Sequence, residues 1–562
     1  MKHRRLAGLL AAVVAISLLA AACGDDKGDS NEGGSTTGAT GSGATAAPTK
    51  GGVITVGQFS AAPGLDPAVL AGGGTVGANE NAALYDTLMR YNNETQKYEG
   101  RTALSMEPNA DASEWTMKIR PGIKFTDGTD YNADAVKFVL DREMKDGNAS
   151  PKGQLLNFLD PATSVTVIDS MTLKFKLIKP WTGFPYVFTG VAGLIYSPTQ
   201  FKKVNDPKAF AINPGDAGAG PFKFKSYKPG ESIELERNPN YWGGDVLLDG
   251  LKFILLPGPA ATYEALKAGT LQAGFVRDPA TIAKAKAEKF GSVDMPAIGG
   301  NMAIMNSGIE ITCAGGKPET TCAGKPDGEK VKSKTATSNV NVRRAVAAAI
   351  DPKVINDRVY EGKAQPNSAP FANSPWDPKV EGPKYDPTEA KRLIALAKTE
   401  GWDGKIRVLA GSDTQAVAWA QAMATQLTAV GMDVAVDTSK DTSGVVNQVL
   451  VLRDFDLATW ALGWLDESDV NYLQLIGSFN TKNPRYGYAN PDLEAAIDLL
   501  RVADTQEKRV AAYKRISEIW AKDDPGLVTT VIPQAMLYSP KVHGLVRTGQ
   551  SITLFDKAYV DK

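Results

Sequence analysis

The chain is poor in the side chains that most often do chemistry. Of its 562 residues only two are histidines, His3 and His543. Histidine titrates near neutral pH and is the commonest metal ligand. With His3 in a leader that processing removes, every site needing two histidines is excluded. That covers Ser-His-Asp and Cys-His sites that use a pair, and any polyhistidine metal centre. No P-loop, H-E-x-x-H or CxxC occurs, nor any G-x-S-x-G beyond the first fifty residues. Gly72-Gly73-Gly74 lacks the strand–turn–helix setting of a phosphate cradle and reads as a loop. The 63 acidic residues leave a carboxylate-pair hydrolase open. Such pairing is spatial, however, and no spacing points to it.

One segment carries a site-like pattern. Residues 455–469 read Phe-Asp-Leu-Ala-Thr-Trp-Ala-Leu-Gly-Trp-Leu-Asp-Glu-Ser-Asp. A β-run meets three carboxylates, Asp466, Glu467 and Asp469. Period-two alternation puts Trp460 and Trp464 on one face of the strand. An aromatic wall beside an acid suits a ligand with an apolar body and a cationic end. The other reading is equally open. Ser468 or Asp469 caps a following helix with Val470, Leu473 and Ile476 on its inner face, and the tryptophans are core.

The amino terminus indicates where this segment works. Lys2, Arg4 and Arg5 precede 17 uncharged residues, 6–22, rich in Leu, Ala and Val. That is short of the ~20 residues a membrane span needs and fits a secretory leader over residues 1–22. Leu19-Ala20-Ala21-Ala22-Cys23 resembles a bacterial lipoprotein box, so Cys23 is expected to become the lipidated first residue. Two acyl chains suffice for stable anchoring. The rest of segment 23–50 is Gly, Ser, Thr, Asp and Ala without a large apolar side chain, and cannot repay the entropy of ordering. As a flexible tether of this length it spans about 30 Å r.m.s.. In the exported part only Cys313 and Cys322 remain, and outside the cytoplasm they are expected to pair. Closing so short a loop is worth a little under ~3 kcal/mol on the chain-entropy model.

These residues need a scaffold, and the composition supplies one. Hydrophobic residues at 43% and charged residues at 22% mark a globular chain rather than a disordered one. A net charge of −1 gives no support to a nucleic-acid partner. Residues 52–57 read as a short strand. Glu114 to Arg120 alternates as a half-buried strand and turns at Pro121-Gly122. Asn132 is placed as a helix cap, with Val136, Val139 and Leu140 on one face. Residues 164–177 and 222–237 read as strand pairs turned at Asp169-Ser170 and Pro229-Gly230. Helices are expected over 342–355, 387–398, 416–430, 493–500 and 506–522. Strands and helices interleave without a fixed repeat, so the fold class is mixed α/β with several lobes.

Several segments together resemble the family 5 extracellular solute-binding proteins of bacterial ABC importers. The most specific is Trp115-Thr116-Met117-Lys118-Ile119-Arg120-Pro121-Gly122-Ile123-Lys124-Phe125-Thr126-Asp127-Gly128, continuing into Asn132-Ala133-Asp134. Leu65-Asp66-Pro67, Gly220-Pro221-Phe222, Arg237-Asn238-Pro239-Asn240-Tyr241-Trp242, Val342-Arg343-Arg344-Ala345-Val346 and Val542-His543-Gly544 follow in the family's order. The resemblance covers residues 51–562.

It implies an α/β, two-lobed clamshell of the type II periplasmic-binding-protein kind with an additional subdomain. By analogy residues 51–82, 210–300 and 530–562 form lobe I, 83–209 the additional subdomain and 301–529 lobe II. The implied function is capture of a solute, a short peptide in the first place, by lobe closure, and delivery to a permease and ATPase complex. The protein would be a monomer outside the cytoplasm, held to the membrane by lipid, with no catalysis, cofactor or metal. In peptide-binding members an aspartate shortly after Gly-Trp holds the ligand's α-ammonium. Here that is Asp466, with Trp464 and Trp460 lining the cleft. This chain is one residue shorter between Trp464 and the acid, and Val470 replaces the usual proline, so Glu467 and Asp469 stay open for the role. The 308–338 loop is an insertion on the pattern. The competing readings are a secreted cell-surface hydrolase and a binder of an oligosaccharide or metal chelate. Nickel as a bare ion is disfavoured, because His543 stands alone.

Overall fold

The computed structural model describes residues 48, 50–70, 76–147, 149–256, 258–295, 297–462, 464–482 and 484–561. The leader, Cys23, the Gly72-Gly73-Gly74 loop and Gly463 lie outside the described residues.

Strand β1 (Val53–Gln58) opens the body. The chain then forms the hairpin β2 (Met89–Asn92) and β3 (Lys97–Gly100), and a four-stranded antiparallel sheet of β4 (Ala103–Pro108), β5 (Glu114–Ile119), β6 (Val165–Asp169) and β7 (Thr172–Lys176), in the order β4-β5-β7-β6. It returns with β8 (Phe222–Lys228), β9 (Ser232–Arg237), β10 (Gly250–Leu255), β11 (Ala273–Val276) and β12 (Gly291–Asp294). It then continues into β13 (Ala297–Met305), the hairpin β14 (Glu310–Thr312) and β15 (Lys330–Lys332), β16 (Gln365–Pro366), β17 (Lys405–Gly411), β18 (Asp433–Lys440), β19 (Leu457–Trp460) and β20 (Gly526–Ile532), and crosses back as β21 (Ala535–Tyr538). A seven-stranded sheet, β12-β21-β11-β1-β10-β9-β8, forms one lobe, and a six-stranded sheet, β16-β20-β13-β19-β17-β18, forms the other. The molecule is a mixed α/β clamshell.

Local chemistry accounts for the elements. In β5 the alternation buries Trp115, Met117 and Ile119. Asn132 Oδ1 accepts from Ala135 N at 2.9 Å and caps helix Ala133–Asp146, whose Val136, Val139 and Leu140 are fully buried. The turn at Pro229-Gly230 joins β8 to β9 as expected. The single helix expected over 342–355 is two. Val340–Ala349 stops and Pro352–Tyr360 begins, because Pro352 cannot continue the first helix while Asp351 caps the second through Lys353 N at 2.8 Å. In the second lobe, helix Thr414–Ala429 buries Trp419, Met423 and Leu427 with Ile406 and Val408 of β17. Cys313 and Cys322 are disulfide-bonded and fully buried, beside the β14–β15 hairpin.

Two crossovers run side by side between the sheets. β12 passes into β13 and β20 into β21, and β13 pairs antiparallel with β20 while β12 pairs with β21. The β13–β20 register shifts around Asn301, a bulge that bends the pair where it leaves one lobe for the other. Gly300 makes this possible. Its φ is +48°, and a Cβ there would lie 1.5 Å from the Thr530 carbonyl oxygen. Such crossovers are where lobe closure concentrates its backbone rotation.

Two consequences are measurable. Gly300→Ala is expected to destabilise the protein by ~3 kcal/mol or more, from left-handed strain plus backbone overlap. An unchanged urea midpoint would refute the tight crossover. Glu80, 2% exposed on helix Ala78–Tyr85, has its carboxyl pushed up to about 7, mainly by burial, against smaller opposing effects of its own backbone and the Gln58 amide. The folded state therefore holds its proton more tightly than the unfolded chain. Stability is unpenalised below pH ~4.5, falls as pH rises towards 7 and levels off above. Glu80→Gln is expected to raise unfolding free energy by up to roughly 3 kcal/mol at pH 8 and leave it unchanged at pH 4. Urea titrations at both pH values check this.

Candidate functional site

Strand β19 ends at Trp460, which stands opposite Met302 of β13. Period-two alternation therefore ends there, and Trp464 lies in the connection beyond the strand. Trp460 is half-buried and edge-on to Tyr486, with centroids 6.5 Å apart. Trp464 is fully buried, its ring 4.6 Å from Phe371 and 5.3 Å from Trp520. The two rings thus have separate neighbours.

The connection then turns into helix Ser468–Phe479. Its N-cap is Glu467, which makes no side-chain capping bond, so neither Ser468 nor Asp469 serves as the cap. The turn is clamped from inside. Asn471 Oδ1 accepts from Leu465 N and Asn471 Nδ2 donates to Leu465 O, both at 2.9 Å, and Asn471 also donates to Tyr513 Oη at 3.1 Å. This clamp directs Asp466, Glu467 and Asp469 to different parts of the molecule.

Asp466 meets the guanidinium of Arg547 bidentately, at 2.5 and 3.1 Å, and its carbonyl accepts from Trp376 Nε1 at 3.0 Å. Glu467 accepts from the same Arg547 Nη2 at 2.7 Å, from Asn93 Nδ2 at 2.9 Å, from Gln550 N at 3.3 Å and from the Tyr186 hydroxyl. Asp469 accepts from the Tyr98 hydroxyl, and Gly183 gives it room, since a Cβ there would lie 2.1 Å from Asp469 Oδ1. Arg547 also donates to the Asp294 carbonyl, at 3.2 Å, where β12 ends. One turn of the second lobe is therefore bonded to the end of the first lobe's sheet, to the carboxyl-terminal segment and to the β2–β3 hairpin.

The electrostatics are lopsided. Burial works against the charge on Arg547, but Glu467 and Asp466 outweigh it and raise its pKa. Burial raises the Asp469 carboxyl above its ordinary value, against the Tyr98 hydroxyl and the charge of Arg509. The Tyr98 and Tyr186 hydroxyls are pushed up by burial and then by their carboxylate partners. Two carboxylates thus share the Arg547 guanidinium, while Asp469 lies against Tyr98 and feels the charge of Arg509. Asp466 and Asp469 are half-buried, and Asp466 is the more open of the two that hold Arg547. Its side chain is 26% exposed, against 1% for Glu467. Arg547, Tyr186, Tyr98 and Asn93 carried no local signal, since Arg547 lies 81 residues from Asp466 and Asn93 374 from Glu467. Among the described residues no group of three or more His, Cys, Asp or Glu could hold a metal ion. His543 pairs with Asp561 at 2.8 Å and stacks on Tyr559.

Arg547→Ala would leave Glu467 buried without its cation. It is expected to cost ~3–5 kcal/mol of stability, as for breaking a buried pair from one side. Chemical denaturation of the ligand-free protein checks this, and a loss below 1 kcal/mol would show the pair to be peripheral.

Residues 97–484 match the model for bacterial extracellular solute-binding proteins, family 5, middle region. Heme-binding protein A of Haemophilus influenzae is 24% identical over 528 residues, covering 89% of this chain and 90% of that protein. The dipeptide-binding protein of Escherichia coli is 23% identical over 497 residues, covering 83% and 86%. The oligopeptide-binding protein AppA of Bacillus subtilis, solved with a nonapeptide, superposes with a TM-score of 0.72 at 20% identity, covering 92% of this chain and all of that one. With more than half its length matched by the family model and a two-sheet clamshell built around paired crossovers, the chain belongs to the family 5 bacterial extracellular solute-binding proteins.

Proposed function

We propose that this protein is the lipid-anchored capture component of an ABC importer, enclosing a short peptide between its lobes and passing it unaltered to a permease and ATPase complex. The observation that carries the reading is the partly open Asp466 carboxylate at the meeting of the lobes. It is already oriented by Arg547 and retains accepting capacity, because a carboxylate has about four lone-pair directions. A ligand ammonium entering there forms a charge-assisted bond without first displacing the arginine. Relatives named for dipeptides and oligopeptides, and a structural neighbour solved with a nonapeptide, support peptide as the ligand class. Capture needs only a ligand that binds the closed form better than the open one, so function requires no catalytic group. The anchor reading rests on the 1–22 leader followed by Cys23. No described helix is long and apolar enough to cross a membrane, so attachment through that cysteine would leave the body outside it. Mass spectrometry of the mature chain should find a diacylated Cys23.

Asp466→Asn keeps the shape and removes the charge. It is expected to weaken binding of peptides with a free amino terminus by ~2–5 kcal/mol, and that of amino-acetylated peptides far less. Calorimetry on both peptide forms decides. Equal effects would move the ammonium site to another acid.

A further inference from the structure

Arg277 follows the last residue of β11 and stands on the edge of the first lobe where the crossovers leave. It is half-buried, and among the described residues no carboxylate lies within ion-pair distance of it. Its one hydrogen bond, from Nη2 to Asn301 Oδ1, is long at 3.4 Å and reaches across to the β13 bulge. The nearby acids are engaged elsewhere. Asp278 caps helix Pro279–Ala287 through Thr281 N at 2.7 Å and accepts from Gln415 Nε2 of the opposite lobe at 3.1 Å. Asp413 caps helix Thr414–Ala429 through Ala416 N at 3.0 Å. Burial lowers the Arg277 pKa, and the more distant Tyr360 and Asp413 do not restore it. A guanidinium is thus held in the seam between lobes with its charge largely uncompensated, an arrangement that costs stability unless an anion arrives.

The strand that leads to Arg277 and the strand end that anchors Arg547 flank the same neighbour in the first lobe's sheet. Val276 of β11 and Asp294 of β12 are both registered with Ala535 of β21, from opposite sides. Two strand spacings separate them, about 10 Å. Asp294 is also the residue whose carbonyl anchors Arg547, the partner of Asp466. An extended tripeptide has about that length.

We propose that Arg277 is the anion subsite of the cleft, taking a carboxylate of a zwitterionic ligand whose ammonium end lies on Asp466. This rests on the peptide reading above and narrows it to short peptides with a free carboxyl terminus.

The test is a competition read by native mass spectrometry on the full chain. The probe is a pool of tripeptides with free amino termini, offered as carboxylic acids and as the matching carboxamides. The unsubstituted protein is expected to enrich the acids at least about tenfold. Arg277→Gln should abolish that preference by weakening the acids about tenfold, leaving the amides within about twofold. Arg277→Lys keeps the charge without the fork and should retain part of the preference. Capture of acids and amides alike by the unsubstituted protein overturns the subsite and leaves the peptide reading standing. Equal losses for both forms in Arg277→Gln, at an unchanged melting temperature, do the same. Should that variant not fold, the acid preference of the unsubstituted protein and its reduction in Arg277→Lys decide. Capture of neither form overturns the peptide reading and this subsite with it.

Discussion

One guanidinium faces two carboxylates where the parts of this molecule meet. Arg547 holds Asp466 on one side and Glu467 on the other, and reaches the end of β12 with the same group. Burying such a group is expensive unless every lone pair and proton finds a partner. Here most of the partners are found, while Arg547 Nε has none among the described residues. Glu467 is also satisfied by Tyr186, Asn93 and a backbone N–H, and the turn beneath is clamped by Asn471. Such a network in a low-dielectric seam is geometrically demanding. It fixes where the acidic turn points.

The same seam is where a binding protein of this build changes shape. Each lobe has its own sheet, and the backbone joins the two by a pair of short neighbouring crossovers. Rotation about such a pair changes few contacts inside either lobe, so the energy of opening and closing lies in the groups between them. A solute that engages those groups shifts the balance by its differential affinity, and release reverses it. The disulfide-pinned 308–338 segment is built on its own hairpin, outside this arrangement.

Much of the scaffold was legible from local patterns. The alternation of β5, the Asn132 cap, the β8–β9 turn and the Cys313–Cys322 pair each depend on residues close in sequence, where side-chain period and turn chemistry act directly. The misreadings have equally local causes. Helix 342–355 divides because the capping and helix-stopping power of Asp351-Pro352 outweighs apolar periodicity. Trp460 and Trp464 do not share a strand face, because the strand ends at the first of them and period two holds only within a strand.

The amino-acid sequence by itself determined the family, the mixed α/β clamshell and the segment, residues 464–469, from which three acids project. Only the tertiary structure decided how those acids differ. It left Asp466 partly open, buried Glu467 among four donors, and set Asp469 against Tyr98. Their partners come from residues 93, 98, 186 and 547, brought to one turn by strand registers and crossovers. The physical reason is that a carboxylate's role is set by its desolvation and by the charges that face it, and both depend on chain segments far removed in sequence.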